Sequence, residues 1–288
     1  MAEPGTVHNG DAPEQRIIHA LSAVHNSRTS NAQRQEASQL LRQAEDSPDA
    51  IQLGFALASA SSHDAAVRHF GLSTLEHVVR HNWEDFSEEA QATVRPLVLR
   101  LAEGLSADDP IYIRNKVASL WTVLAERTWA ITWMDMDENL VQLWNATNHH
   151  KSACLTILDS LAEDVFARDD ATALLRTSGL NRECLQIFTP KSVSDGRALT
   201  ELDPQIRYGD QGWLSRITAV LLAYGSPLLH KDEQTRGLVI SCLGVLRTMI
   251  PYSTSEALGD ARLVEALLHC LHDEDSRLTM VCQRILGP

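Results

Sequence analysis

The chain has 288 residues, 44% of them hydrophobic, which is enough for two ordinary domains or one elongated array with a buried core. Its 38 acidic and 25 basic side chains leave a formal charge of −13, which repels phosphate backbones, argues against direct nucleic-acid binding by the segment as a whole, and suits a basic partner. The five cysteines, Cys154, Cys184, Cys242, Cys270 and Cys282, are odd in number and mostly embedded in apolar stretches, so they read as buried thiols of a reducing compartment. No run approaches the ~20 apolar residues that span a bilayer, so no membrane insertion is expected.

In chain order, Met1 to Ala12 is small, polar and unable to bury enough surface to order itself, which predicts a loose arm over 1–12. Helical spacing then begins. Ile17, Leu21 and Val24 recur at intervals of four and three, and Ser30 with Gln33 forms a capping box ahead of Leu40 and Leu41, so the first two helices form an antiparallel pair. Pro48 and Pro110 sit where helices should begin.

A stripe with offsets of zero, four, seven and eleven repeats down the chain. Val94, Val98, Leu101 and Leu105 make one copy, Ile113, Val117, Leu120 and Leu124 a second, and Cys154, Leu158, Leu161 and Val165 a third. Trp213, Ile217, Val220 and Tyr224 follow, then Leu238, Cys242, Val245 and Met249. No stretch alternates with period two, so the fold class is all-α.

Helix starts near Pro13, Ser30, Pro48, Asp64, Ser87, Asp109 and Asp135 recur about every twenty residues and pair into units of about 40 to 47, the period of HEAT-like arrays. Such pairs bury one face only by stacking, which predicts an α-solenoid with a concave binding wall. One segment breaks the rhythm: Thr189 to Gly212, with Pro190, Gly196, Pro204, Gly209 and Gly212, reads as an irregular inter-repeat loop over 189–211. Helices near Gly212 to Tyr224, Asp232 to Pro251, Asp260 to Leu271 and Asp273 to Leu286 complete the array over 212–288.

The stretch from Arg34 to Trp83 resembles the N-terminal region of the importin-β, or karyopherin, superfamily. Within it, Arg68-His69-Phe70-Gly71-Leu72, then Leu75-Glu76-His77-Val78-Val79 and Trp83, resembles the second-repeat inner helix of exportins, most closely the exportin-five branch. Asn115 to Trp133 resembles the exportin helix that ends in two tryptophans four apart, each usually followed by proline; here Ala130 and Met134 stand in those places. The sequence spacing puts Trp129 and Trp133 on one helical face, able to wedge neighbouring pairs. The likeness runs from about Ile17 to Thr189 and places exportin-like repeats over 13–188.

The resemblance implies a receptor that clamps the GTP form of the Ran GTPase with its N-terminal repeats, carries a protein or structured-RNA cargo, meets nucleoporins, and shuttles between nucleus and cytoplasm. Candidate contacts are the polar residues opposite the apolar stripes: His69, Ser73, Glu76 and Arg80 on one inner helix, Asn115, Ser119, Thr122 and Glu126 on the next. The alternative is a HEAT adaptor without a nucleotide-dependent switch. Receptors of this superfamily are several times longer, and the last stripe, Leu278, Val281 and Ile285, stops at Gly287-Pro288 without a polar capping repeat, so a truncated or split chain is expected.

Catalytic parts are missing from the sequence. There is no Gly-rich phosphate loop, no G-x-S-x-G elbow and no H-E-x-x-H helix, so no enzyme and no cofactor is expected. Adjacent His149 and His150 project about 100° apart on a helix and lack acidic or cysteine partners at ligand spacing. Cys270 lies on the stripe of Leu263 and Leu267, and Asp135-Met136-Asp137-Glu138 lacks the glycine and spaced oxygens of a calcium loop, leaving it an acidic first turn. No metal site is expected. His69, His77 and His81 share one helix and would make partner binding pH-sensitive if they met the partner.

Overall fold

A computed structural model of the chain describes residues 12–166, 174–194, 205–224 and 232–271. The expected loose arm before Ala12, the helix from Asp273 to Leu286, and Cys282 lie outside these residues. The described residues are helical, with one isolated bridge between Trp129 and Trp133 and no strand, in line with an all-α fold of stacked helix pairs. They divide into two compact units, residues 1–124 and 125–288.

The first unit contains α1 (Pro13–His25), α2 (Asn31–Glu45), α3 (Ala50–Ser59), α4 (Ala65–His81), α5 (Glu88–Glu103) and most of α6 (Ile111–Thr128). Three of these starts carry a side-chain cap. Ser30 and Gln33 close a reciprocal capping box at α2, with backbone to side-chain bonds of 3.3 and 3.1 Å. The Asp64 carboxylate accepts the Val67 N–H at 2.9 Å at α4, and Ser87 accepts from Ala90 at α5. The pieces of the expected stripes Val94–Leu105 and Ile113–Leu124 are buried throughout, whereas Val24 at the end of α1 is only half-buried.

Helices α1, α3 and α5 touch in succession, while α2 touches α4, so the pairs stack as an odd-numbered and an even-numbered layer. Ile17 and Leu21 from α1, Leu57 from α3 and Val67 from α4 form one core, and Leu40, Leu41 and Phe70 pack on it. Full burial of each such side chain contributes about 1.5–3 kcal/mol.

The tightest joint is between α3 and α4, whose short connection makes them antiparallel. Gly54 faces Gly71 and Leu75, while Gly71 faces Leu57 and the backbone of Ala58. A Cβ on Gly71 would lie 2.5 Å from the Gly54 carbonyl oxygen and 2.6 Å from the Ala58 nitrogen, so backbone itself would have to move. Glycine here lets two helices meet without side chains between them.

The tryptophan pair departs from the expected geometry. α6 ends at Thr128, before both indoles, so Trp129 and Trp133 do not share a helical face. The Thr128 carbonyl instead accepts N–H groups from Ile131, Thr132 and Trp133, at 3.1, 2.9 and 2.8 Å, curling the chain over the helix end. Ala130 at the bend has φ 60°, a conformation closed to proline, whose ring fixes φ near −65°. Both indoles are nonetheless buried, and Trp133 donates from Nε1 to Asn139 at 2.8 Å. The tryptophans anchor a turn.

The second unit continues with α7 (Met136–Trp144), α8 (Asn148–Phe166), α9 (Leu174–Phe188), the single turn α10 (Lys191–Ser194), α11 (Trp213–Tyr224), α12 (Glu233–Met249), α13 (Ser255–Asp260) and α14 (Leu263–Leu271). α8 packs on α7, α9 and α12, and α11 packs on α12 and α14. The Thr248 hydroxyl donates to Asp159 at 2.8 Å across the α8–α12 contact. The short α13 was not expected from sequence; Thr254 caps it by accepting from Ala257 N. The cysteines behave as expected where described: Cys154, Cys184, Cys242 and Cys270 are buried and unbridged.

The expected irregular loop contains α10, and its described end is held down. Residues 205–212 run past the start of α7, where Arg207 N–H donates to the Met134 carbonyl at 2.9 Å. Asp137, expected to be part of a solvated first turn, is instead 3% exposed and accepts from Gly209 N–H and the Trp213 indole, both at 2.6 Å. Burial pushes the Asp137 carboxyl up from its usual value against these donors and the charge of Arg216. An acidic residue in a helix's first turn reads as solvated until its donors, more than seventy residues later in sequence, are known.

Gly71→Ala should lower stability by about 1–3 kcal/mol through overpacking against backbone. Gly237 in α12 has open space around its Cβ position, so Gly237→Ala should raise stability by about 0.5–1 kcal/mol. Urea melts of the two variants beside the parent check both signs.

Candidate partner-binding site

The sequence places eight candidate contacts on α4 and α6, and the structure joins several of them in one polar seam. Glu76 of α4 is nearly buried, yet its Oε1 accepts from Arg80 Nε at 2.8 Å and from the Ser119 hydroxyl at 3.1 Å. Its Oε2 pairs with Lys116 of α6. One carboxylate thus ties α4 to α6 and holds two cations on the even-numbered layer. Burial alone would raise the Glu76 pKa, but hydrogen bonds from Lys116 and Arg80, reinforced by their charges, hold it below the usual value.

A second tie flanks the first. Arg68 donates from Nε to the Ala58 carbonyl at 3.3 Å and pairs through its guanidinium with Asp109, in the turn before α6. Burial opposes ionisation of Asp109 too, but Arg68 and the Ser106 N–H at 2.7 Å win, and the carboxyl is held low. Arg68 therefore joins the end of α3, the start of α4 and the α5–α6 turn.

The remaining candidates differ in what they offer. His69 is half-buried with its ring edge-on to Tyr112, centroids 5.7 Å apart; burial and then Lys116 depress its pKa, which favours the neutral ring. Ser73 is half-buried and Asn115 exposed. Thr122 is 1% exposed and donates back to the Ala118 carbonyl at 3.1 Å, so as placed it presents nothing to a partner. Glu126 is half-buried and lies in the second unit. Trp83 is buried in a short 3-10 turn after α4, where its carbonyl accepts from Gln91 at 2.8 Å.

Charge on these helices runs against the chain average. α4 and α6 carry Arg68, Arg80, Arg114, Lys116 and Arg127 against Glu76 and Glu126. Asp46, Asp49, Glu84, Asp85, Glu88 and Glu89 are all exposed and sit in or beside the turns from α2 to α3 and from α4 to α5. A sum over the sequence cannot show this. Lys116 and Arg68 were also missed, because neither stands out by spacing; only the pairing of α4 with α6 shows what they hold. The His149 and His150 rings lie with centroids 4.3 Å apart and planes tilted by 38°, and both Nδ1 atoms reach the Thr147 hydroxyl, at 2.9 and 2.7 Å. Among the described residues no group of three or more His, Cys, Asp or Glu is arranged for a metal ion, and no helix is long and apolar enough to cross a membrane.

Since the folded-state pKa of Glu76 is depressed, its ties stabilise the protein fully above the ordinary glutamate pKa, and that contribution is lost as pH falls through the lowered value. Glu76→Gln should therefore melt below the parent at neutral pH, with the gap closing in acid. Thermal melts across that range check it.

Residues 37–123, from within α2 to within α6, match the importin-β N-terminal domain model. Protein MSN5 of Saccharomyces cerevisiae is 28% identical over 271 residues, covering 89% of this chain and 22% of that protein. Exportin-5 of Dictyostelium discoideum is 22% identical over 158 residues, covering 55% of this chain and 14% of that one, and exportin-5 of Mus musculus is 31% identical over 124 residues, covering 42% and 10%. The chain spans less than a quarter of the length of these relatives. The polar seam of α4 and α6 thus lies inside the stretch that matches the importin-β N-terminal domain model, in a chain similar over part of its length to protein MSN5 and to exportin-5.

Proposed function

We propose that this chain is the N-terminal scaffold of an exportin-like nuclear transport receptor and that the even-numbered layer, centred on the Glu76 seam, docks the GTP form of Ran. The observation that carries this reading is the position of the seam within residues 37–123: the match to the importin-β N-terminal domain covers the helices that present His69, Ser73, Arg80, Asn115 and Ser119. Glu76 acts from behind. It holds Arg80, Lys116 and Ser119 in fixed positions before a partner arrives, which lowers the ordering cost of binding.

Cargo, protein or structured RNA, belongs in this reading to the longer receptor of which such a scaffold is the first part, as do nucleoporin contacts and shuttling between nucleus and cytoplasm. The cations held at the seam give the docking face a local character that the net charge of −13 hides, so complementary charge on the partner would speed encounter at this face rather than over the whole surface. The rival reading, an adaptor of the same fold without a nucleotide switch, predicts equal binding of both nucleotide forms.

The test is a pull-down with Ran carrying a non-hydrolysable GTP analogue or GDP. Preferential retention of the GTP form, reduced several-fold by Asn115→Ala with Ser73→Ala, supports the proposal; equal retention of both forms refutes it.

A further inference from the structure

Among its described residues the first unit leaves two large apolar side chains exposed, and they are neighbours in the first turn of α6: Ile111, 66% exposed, and Tyr112, 47% exposed. The core does not use them, since the buried stripe of this helix begins one residue later, at Ile113. Tyr112 stands one helical turn before Asn115 and Lys116 and two before Ser119, so it extends the face that carries the Glu76 seam. Ile111 stands one turn before Arg114 and Asn115. The edge-on contact with His69 of α4 braces the Tyr112 ring before anything docks.

We infer that Ile111 and Tyr112 are the apolar anchor of the docking face, and that the partner sets an apolar side chain against them with a carboxylate beside it for Arg114. The inference rests on the docking of GTP-loaded Ran proposed above and names where its binding free energy is concentrated. The carboxylate follows from charge. Arg68 is spent on Asp109, and Arg80 and Lys116 on Glu76. Among the described residues the Arg114 side chain makes no ion pair or hydrogen bond, with Asp108 or with any other group. It acts on Asp109 through its charge alone, and Asp109 is already taken by Arg68 and the Ser106 N–H. An unpaired guanidinium beside an exposed isoleucine and tyrosine is complemented by an acidic group beside an apolar one.

Side chains of these types carry a large share of interface energy, because tyrosine and arginine bury much area with few torsions to freeze. Ile111 is branched at Cβ and stiff at χ1, and Tyr112 is already braced, so covering them costs little freedom. Burial, and then Lys116, lower the His69 pKa and favour the neutral ring, so no charge on His69 has to be desolvated beneath the anchor. Val264 and Leu268 of α14 are exposed as well. There, however, Arg262 is held by Glu265, so no unpaired charge beside them selects a partner.

The test is the binding kinetics of the full chain with Ran carrying a non-hydrolysable GTP analogue or GDP. Ile111→Ser and Tyr112→Ala should each weaken binding of the GTP form about tenfold, through faster dissociation with association little changed, and Tyr112→Phe should retain most of the parent's affinity. Arg114→Ala should instead slow association and flatten its dependence on salt. Leu268→Ser, which removes an equally exposed apolar side chain elsewhere, should bind as the parent does. Ile111 is exposed, so its variant should melt with the parent and keeps the test free of folding effects. Parent-like dissociation of both Ile111→Ser and Tyr112→Ala, with the GTP preference intact, overturns the anchor and leaves the docking face standing. Equal losses in Leu268→Ser and Ile111→Ser overturn the anchor too, and a parent without GTP preference overturns both readings.

Discussion

The close approach of α3 and α4 at Gly54 and Gly71 sets the geometry on which the rest of the first unit depends. With no side chains between the two backbones, Arg68 on α4 reaches both the Ala58 carbonyl and Asp109, and Glu76 reaches across to Lys116 and Ser119 of α6. If the helices stood a methyl group further apart, the Arg68 bond to the Ala58 carbonyl, which spans this joint, would lengthen. The apolar stripes supply most of the favourable free energy, but they do not choose one registry of helix against helix. Short charge-assisted bonds of fixed direction do.

Much of the fold was legible because amphipathic spacing is a local property. Ser30, Asp64 and Ser87 announced their helices through capping chemistry, and four of the five expected stripes lie buried along their whole length; in the fifth, Tyr224 is half-buried. What the sequence hid was set by contacts distant along the chain. Asp137 looked like a solvated first-turn acid and is a buried acceptor for Gly209 and Trp213. Trp129 and Trp133 looked like a helical face, but the left-handed backbone at Ala130 takes them off the helix.

The candidate site was half legible for the same reason. Helical spacing identified the polar faces of α4 and α6, yet it could not tell a residue facing solvent from one facing the neighbouring helix. Thr122 illustrates the limit, since it lies in sequence register with Asn115 and Ser119 but spends its hydroxyl on its own helix. Lys116 illustrates the converse. One position along from Asn115, it holds the carboxylate at the middle of the seam.

Helix α4 closes the core against α3 with one face and carries the Glu76 seam on the other. A partner that docks as proposed must therefore shield α4 and α6 together and leave α3 and α5 as they were. Hydrogen exchange of the chain with and without GTP-loaded Ran measures this directly. The account predicts slowed exchange in peptides covering 68–81 and 111–119 with none gained in α3 or α5; protection confined to the odd-numbered helices would contradict it.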